Sequence, residues 1–255
     1  MPRRPLPPLA LTYHGVADVP LARDPHHMFV RPRDLRRQIG RLRAWGYELV
    51  SFGELARRAA ENSAADAAAL TFDDGLADNL ENLVPLLQAE GAPATVFVVT
   101  GWLGQSHPAA PWTRLLTDTE VLEVSRQGVE IGAHTHTHPD LTTLPRAGAR
   151  EEFERSRLAL QELTGAAVDV AAYPFGNAND DTRAAAREAG LRAACRTLGM
   201  GSWRDPFDLP RQAMENRASD LGLRLKREGR YEALMRWYPA RVVRKVTRRA
   251  KGMVG

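Results

Sequence analysis

Apolar residues along this 255-residue chain alternate between short continuous runs and longer stretches with helical spacing. Short continuous apolar runs are typical of buried strands, and they predict strands at residues 9–13, 47–50, 67–72, 94–100, 129–133, 168–173 and 191–195. Helical spacing and end signals predict helices at residues 34–45, 51–60, 78–90, 118–127, 150–163 and 180–189. Because strands and helices alternate, we predict an α/β fold with a parallel sheet.

Residue types that favour particular turns refine this pattern at three places. Ser51 and Glu54 have the spacing of a capping box at the start of a helix. Pro85 predicts a kink inside the helix at 78–90, because proline cannot donate a backbone hydrogen bond. Residues 101–111 are predicted to be a loop.

Polar side chains follow the ends of four predicted strands. His14 follows the first strand, Asp73 and Asp74 follow the strand at 67–72, and His134 and Tyr173 stand at the ends of two later strands. In parallel barrels, catalytic groups gather at the carboxyl ends of the strands. We therefore expect these residues to lie at one face of the sheet.

The double aspartate Asp73-Asp74 exposes two carboxylates at one strand end, followed by Gly75. If the chain bends there, one carboxylate can bind a metal ion while the other accepts a proton. The alternative interpretation is a simple turn, in which aspartate caps the helix and glycine supplies a positive φ.

The segment HTHTH at 134–138 offers imidazole nitrogens, which are good ligands for zinc. An extended strand would separate His134 from His138 by roughly 13 Å, so His138 must curl back, and Pro139-Asp140 provides a turn. His136 would then point elsewhere or serve as an alternative ligand; a solvated polar loop is the other interpretation. With one aspartate, the two histidines form an open three-ligand site, which is typical of catalytic metal ions.

This chain resembles the polysaccharide deacetylases, also called the NodB-homology proteins or carbohydrate esterase family four. The resemblance covers roughly residues 9–212 and lies in three motifs that occur in the family's order: TFDDG at 71–75, HTHTH at 134–138 and AYPFG at 172–176. An early Tyr13-His14 resembles the branch of poly-N-acetylglucosamine deacetylases in which the motif order is circularly permuted.

The resemblance implies a distorted (β/α) barrel with seven or eight strands and one divalent metal ion. Zn2+ is the expected ion, with Co2+, Ni2+ or Mn2+ as alternatives. The implied metal ligands are Asp74, His134 and His138, and the implied general base is Asp73. The implied substrate and oxyanion contacts are Tyr173, Pro174 and Phe175, with the backbone N–H of Phe175 as oxyanion donor.

Two departures from the family pattern change the expected site. The third motif often begins with an arginine that orients the catalytic aspartate, but Tyr173 stands there, and Arg211 is the candidate replacement. No histidine follows His138 to act as general acid, so the permuted branch points to His14 instead. The alternative for His14 is a histidine buried at a strand end and bonded to a backbone carbonyl.

Other residues suggest simpler roles. We interpret His26, His27 and His107 as loop histidines without catalytic roles, and the single cysteine, Cys195, as a core residue. Tryptophans stand in three predicted loops and could stack on a sugar or pack at the rim; they are Trp102, Trp112 and Trp203.

The basic residues are concentrated near the carboxyl terminus. Residues 222–255 contain eleven Lys or Arg against two Glu, a balance of +9, which leaves −5 for the remainder of a chain with net charge +4. We predict a deacetylase barrel at 1–221 and a basic amphipathic tail at 222–255. The tail suits an anionic membrane surface; nucleic acid and a solvated tail are the alternatives. Cell fractionation of a chain truncated before Arg224 tests the membrane hypothesis, which unchanged membrane association would refute.

The sequence also sets expectations for location and function. It contains no apolar run of signal-peptide or membrane-span length, so a cytoplasmic protein, peripheral at the inner membrane, is expected. We expect release of acetate from an N-acetylhexosamine glycan or a lipid-linked sugar. A metal-dependent phosphoesterase is the alternative enzyme, and a glycan- or membrane-binding module on the same fold is the non-catalytic alternative.

Overall fold

The computed structural model describes residues 4–214 and 219–231, which belong to two separate units of the chain. The strands are β1 (Leu9–Tyr13), β2 (Gly15–Val16), β3 (Phe29–Val30), β4 (Glu48–Val50), β5 (Ala67–Phe72), β6 (Thr95–Val98), β7 (Ser106–His107), β8 (Ala110–Arg114), β9 (Glu130–Ala133), β10 (Val170–Ala172), β11 (Ala193–Cys195) and β12 (Gln212–Ala213). The helices are α1 (Pro32–Trp45), α2 (Phe52–Ala60), α3 (Val84–Glu90), α4 (Asp118–Arg126), α5 (Arg146–Thr164), α6 (Asp180–Glu188) and α7 (Asp220–Arg227).

Eight parallel strands form the main sheet in the order β11-β10-β9-β6-β5-β1-β12, with β4 paired to β5 beside the start of β6. All six residues of β5 are buried, as are all five of β1. Strands that are covered on both faces consist of continuous apolar runs, and for this reason the sequence predicts β1 and β5. The predicted α/β class with a parallel sheet is confirmed.

The segment that carries β12 links the two edges of this sheet. Leu209 forms a parallel bridge with Cys195 of β11, and three residues later β12 pairs with β1. The sheet therefore curves so far that residues 209–213, which form one edge by pairing with β1, also contact β11 at the other edge. This is the predicted distorted barrel, which is confirmed with eight strands.

Several local predictions need correction. Residues 101–111 are not a plain loop, because β7 and β8 form an antiparallel hairpin there with an irregular register. Ser51 does cap α2 by accepting a hydrogen bond from the Glu54 N–H, but the Glu54 side chain instead pairs with two arginines of the same helix, so no full capping box forms. The helix at 78–90 begins as a π-helical turn and becomes α-helical at Val84, next to Pro85.

The carboxyl-terminal region is described in part. Residues 219–231 include α7, whose last turn is basic, whereas most of the predicted tail lies outside the described residues. The proposed boundary at 221 and the proposed membrane contact therefore stay predictions. No helix in the described part of the chain combines the length and apolar character needed to cross a bilayer.

Asp78, at the start of the π-helical turn, is a buried acid close to the end of β1. Its Oδ2 accepts a hydrogen bond from the Val16 N–H, while Oδ1 has no hydrogen-bond partner among the described residues. Burial raises the pKa of Asp78 to about 6, against the smaller opposing effect of the Val16 hydrogen bond. Folding therefore favours the protonated acid.

The variant Asp78→Asn should change how stability depends on pH. Because the pKa of the folded state exceeds the unfolded value, the contribution of Asp78 is complete below the unfolded pKa and is lost as pH rises through about 6. Asparagine does not titrate, so the variant should gain about 2–3 kcal/mol relative to wild type between pH 4 and pH 8. Urea unfolding at both pH values measures this, with the exposed Asp181→Asn as control; parallel pH profiles would contradict it.

Candidate metal centre and catalytic pocket

The residues at the carboxyl ends of the strands line a single cavity of about 570 Å³. Its acidic and imidazole groups are His14, His26, Asp73, Asp74, His107, His134 and His138. Its apolar walls include Met28, Trp102, Pro108, Phe175 and Leu198. The expectation that side chains from separate strand ends lie at one face of the sheet is met for His14, Asp73, Asp74 and His134.

Three side chains in this cavity form a group that can hold a metal ion. Ligand atoms of Asp74, His134 and His138 all lie within 4.8 Å of one another. The Asp74 Oδ1 atom is 3.5 Å from His134 Nε2 and 3.7 Å from His138 Nε2. Donors bound to zinc at 2.0–2.1 Å in a tetrahedral arrangement lie roughly 3.4 Å apart, so the spacing fits such an ion.

The orientation of His134 suits metal binding. Its Nδ1 atom is 2.8 Å from the Ala172 carbonyl oxygen, which can only accept a hydrogen bond. Nδ1 therefore carries the proton, and the lone pair of Nε2 faces Asp74. A histidine ligand held by a backbone carbonyl in this way is the usual arrangement at protein metal sites.

The backbone turns sharply to bring these ligands together. Asp74 has φ 72° and the following Gly75 has φ 78°, so the chain bends directly after β5. Thr135 has φ 67° and His138 φ 59°, and Thr135 Oγ1 accepts a hydrogen bond from the His138 N–H at 3.0 Å. His138 curls back as predicted, but the turn lies within 135–138 rather than at Pro139-Asp140.

The electrostatic environment gives the cluster the charge state that a metal ion requires. Burial raises the pKa of Asp74, but the hydrogen bond from His107 and the nearby histidines outweigh burial and hold it well below its usual range. Burial and the neighbouring His134 lower the pKa of His138 to about 4. Near neutral pH the cluster thus offers a carboxylate and an unprotonated imidazole, as metal binding needs.

Asp73 forms a bidentate ion pair with the fully buried Arg211. Arg211 donates from its two terminal nitrogens to Asp73 Oδ1 at 2.7 Å and Oδ2 at 2.8 Å, and it also donates to Thr71 Oγ1 and the Arg196 carbonyl. Burial opposes ionisation of Asp73, but the charges of Arg211 and His134 lower its pKa below the usual value. The structure thus places Arg211 where the sequence reasoning expected the orienting arginine.

The remaining predicted residues fall into two groups. His14 lines the cavity, and its carbonyl oxygen accepts a hydrogen bond from Asn79. Phe175 also lines the cavity, with φ 59° and its ring 4.8 Å from that of His138. Tyr173 and Pro174 do not line it: Tyr173 is buried, and its hydroxyl donates to the Phe207 carbonyl. A direct substrate contact by the Tyr173 side chain is therefore not seen.

His107 is a site residue that the sequence pattern does not predict, and His26, also interpreted as a loop histidine, lines the same cavity. The sequence indicates a loop histidine at position 107, yet His107 is buried and its Nε2 atom lies 3.1 Å from Asp74 Oδ2. The β7–β8 hairpin creates this contact, and no local periodicity predicts a hairpin of such short strands. His136, the alternative ligand, instead contacts Thr100 and Arg155.

The three tryptophans named in the sequence analysis lie in different environments. Trp102 lines the cavity beside His107 and His138, so it can meet a substrate. Trp112 packs against Phe29, and Trp203 packs at the edge of the core. These two positions agree with the interpretation of rim packing.

Comparison with known proteins agrees with this architecture. The polysaccharide deacetylase family model matches residues 60–194, which is more than half of the chain. The chain belongs to the polysaccharide deacetylase family.

Individual relatives and solved structures share parts of the chain. A putative polysaccharide deacetylase, YxkH of Bacillus subtilis, is 28% identical over 136 residues, covering 53% of this chain and 46% of the relative. The poly-beta-1,6-N-acetyl-D-glucosamine N-deacetylase of Escherichia coli K12 is 34% identical over 140 residues, covering 50% and 20%. The match thus spans less than half the length of both curated relatives.

Similarity of fold extends further than similarity of sequence. The Streptococcus pyogenes deacetylase PplD superposes with a TM-score of 0.74 at 24% identity, covering 86% of this chain and 97% of that structure. IcaB from Ammonifex degensii gives a TM-score of 0.71 at 20% identity, covering 88% and 96%. At these identities the structures establish the fold.

Replacing Arg211 by methionine should destabilise the protein strongly, because it leaves the buried Asp73 carboxylate without a partner. Removing one member of a buried ion pair costs about 3–5 kcal/mol. Urea unfolding at pH 7 measures the loss, and Arg196→Met, at a less buried arginine that donates to the Gly176 carbonyl, is the matched control with a smaller expected loss. Equal losses in the two variants would contradict this account.

Proposed function

We propose that this protein is a metal-dependent hydrolase that removes acetyl groups from the nitrogen of an N-acetylhexosamine in a glycan. The proposal rests mainly on one observation: two adjacent buried carboxylates contact different partners. Asp73 is paired with Arg211, whereas Asp74 faces His134 and His138. One carboxylate is thus arranged for proton transfer and its neighbour for binding a cation. Amide hydrolysis by activated water needs both a general base and a cation.

Asp74, His134 and His138 would hold the cation, and Zn2+ is the ion that two imidazoles and one carboxylate favour. When bound there, a divalent cation polarises a carbonyl oxygen and lowers the pKa of nearby water. Co2+, Ni2+ and Mn2+ remain alternatives, because a site of nitrogen and oxygen ligands binds all of these divalent ions and only its affinity for them differs.

Asp73 is proposed to take the proton from the attacking water. Each oxygen of a carboxylate can accept two hydrogen bonds, so the contacts with Arg211 leave acceptor capacity toward the cavity. Arg211 also fixes the plane of the carboxylate, because a guanidinium binds it with two parallel hydrogen bonds. The pair thus orients the base as well as keeping it ionised.

The cavity provides candidates for the other two roles. The backbone N–H of Phe175 is proposed to donate to the oxyanion, since a positive φ places this residue beside His138. His14, on the wall formed by the end of β1, is proposed to protonate the departing amine. Both proposals extend the resemblance noted in the sequence.

The cavity is large enough for a sugar unit with its acetyl group, since small-molecule sites commonly measure about 300–1,000 Å³. Trp102 and the exposed Phe175 supply aromatic faces for a pyranose ring. Relatives include a chitin deacetylase of Pestalotiopsis sp, 32% identical over 112 residues, besides the Escherichia coli enzyme. Polymers of N-acetylglucosamine are therefore the first substrates to test, with a lipid-linked sugar as the alternative.

The two other functions considered are less well supported. Phosphoesterases with paired metal ions need more ligands, and the described residues contain one group of three potential metal ligands. A purely binding module would have no need for the buried base and arginine pair. Neither alternative gains a specific observation from the structure.

The variant Asp73→Asn should lose acetate release but keep its metal ion. Removing a general base costs about 10²–10⁴-fold in rate, while the ligands Asp74, His134 and His138 remain. Wild type and variant are stripped with a chelator, reloaded with Zn2+, Co2+ or Ni2+, and assayed with N- and O-acetylated oligosaccharides and a lipid-linked N-acetylhexosamine. Asp181→Asn serves as the control, and full activity of Asp73→Asn would refute its role as base.

The variant His14→Ala should turn over more slowly with little loss of metal. A missing general acid matters most when the leaving group is a poor one, so hydrolysis of an activated acetyl ester should suffer much less than hydrolysis of the acetamide. Comparing the two substrates separates acid catalysis from structural damage. An unchanged rate with the acetamide would assign the acid role to another group.

A further inference from the structure

The hairpin of β7 and β8 inserts His107 against the carboxylate of Asp74. Both side chains are almost fully buried, and the His107 Nε2 atom lies 3.1 Å from Asp74 Oδ2. The metal-binding atoms of His134 and His138 face the other oxygen, Oδ1. The two oxygens of this carboxylate therefore have separate partners.

The hydrogen bonds of His107 determine which nitrogen carries its proton. The backbone N–H of Ala109 donates to His107 Nδ1 at 3.1 Å, so this nitrogen must hold a lone pair. Nε2 then carries the hydrogen and donates it to Asp74 Oδ2. The ring of Trp102 packs edge-on against the imidazole of His107, with 5.6 Å between the ring centroids.

Backbone hydrogen bonds join the end of the hairpin to the loop that follows Asp74. The Leu116 N–H donates to the Gly75 carbonyl at 2.8 Å, and Leu76 forms an antiparallel bridge with Leu115. His107 and Asp74 are therefore held in one local frame by backbone hydrogen bonds. A side chain placed in this way can fix the angle of its partner.

We propose that His107 is a positioning residue for the metal centre, on which this inference rests. Its hydrogen bond to Oδ2 fixes the plane of the Asp74 carboxylate so that Oδ1 faces His134 and His138. A carboxylate without this partner could rotate and lose its alignment with His134 and His138, at a cost in metal affinity. Groups that orient metal ligands typically change affinity by about 10–100-fold when they are removed.

The test compares variants that differ in the N–H donor. His107→Leu keeps an apolar side chain of useful size but donates no hydrogen bond, whereas His107→Gln can present an amide N–H from a similar distance. His136→Ala is the matched control, since His136 contacts Thr100 and Arg155 instead of the ligand group. Zn2+ dissociation constants come from competition with a chromophoric chelator, and the visible absorption of bound Co2+ reports ligand geometry.

We expect His107→Leu to weaken Zn2+ binding by about 10–100-fold and to shift the Co2+ bands. His107→Gln should restore most of the affinity and the wild-type bands, and His136→Ala should match wild type. Thermal unfolding of the metal-free proteins checks that each variant folds; if His107→Leu does not, His107→Ala, which also lacks the donor, takes its place.

Two results would overturn the proposal while leaving the metal centre intact. One is wild-type Zn2+ affinity in a folded His107→Leu, which would show that Asp74 needs no support. The other is equal, severe loss in both His107 variants, which would make His107 itself a ligand. If wild-type protein binds neither ion, the proposed metal centre fails first, and this inference fails with it.

Discussion

The buried ion pair between Asp73 and Arg211 connects the architecture of this protein to its chemistry. Asp73 follows β5 in the middle of the sheet, and Arg211 precedes β12, in the segment that pairs with β1 and also contacts β11. Burying two charges is unfavourable unless they are paired with good geometry, and the curved sheet brings these two side chains within hydrogen-bond distance. The curvature of the sheet thus also determines how the proposed base is oriented.

The same constraint explains why the two neighbouring carboxylates differ. Adjacent residues in a continuing strand point to opposite faces, but Asp74 has a positive φ, and the bend after β5 places both side chains at the cavity. Arg211 then engages Asp73, while the histidines engage Asp74. Each carboxylate has nearby positive or hydrogen-bond-donating groups of its own, so both can stay ionised at close range.

Much of this arrangement was predictable from the sequence. The runs at β1 and β5 were predicted to the residue, because strands buried on both faces are continuously apolar. Arg211 was predicted because the third motif lacks its usual arginine. The strands of two residues, including β12, escaped prediction because so short an element has no periodicity. His107 escaped because its burial depends on hairpin pairing, which depends in turn on the loop after Asp74.

Backbone strain is concentrated around the cavity. In the described part of the chain, eight residues other than glycine have a positive φ, and five of them contribute to this site: Asp74, Thr135, His138, Phe175 and Leu198. For threonine, phenylalanine and leucine this conformation costs on the order of 1 kcal/mol or more each. Such strain persists where surrounding structure overrides local preference, as the hydrogen bond from His138 to Thr135 does here. Because local sequence preferences oppose these turns, tertiary contacts must hold them, and the positions of the proposed ligands follow from the curved sheet rather than from the motifs alone.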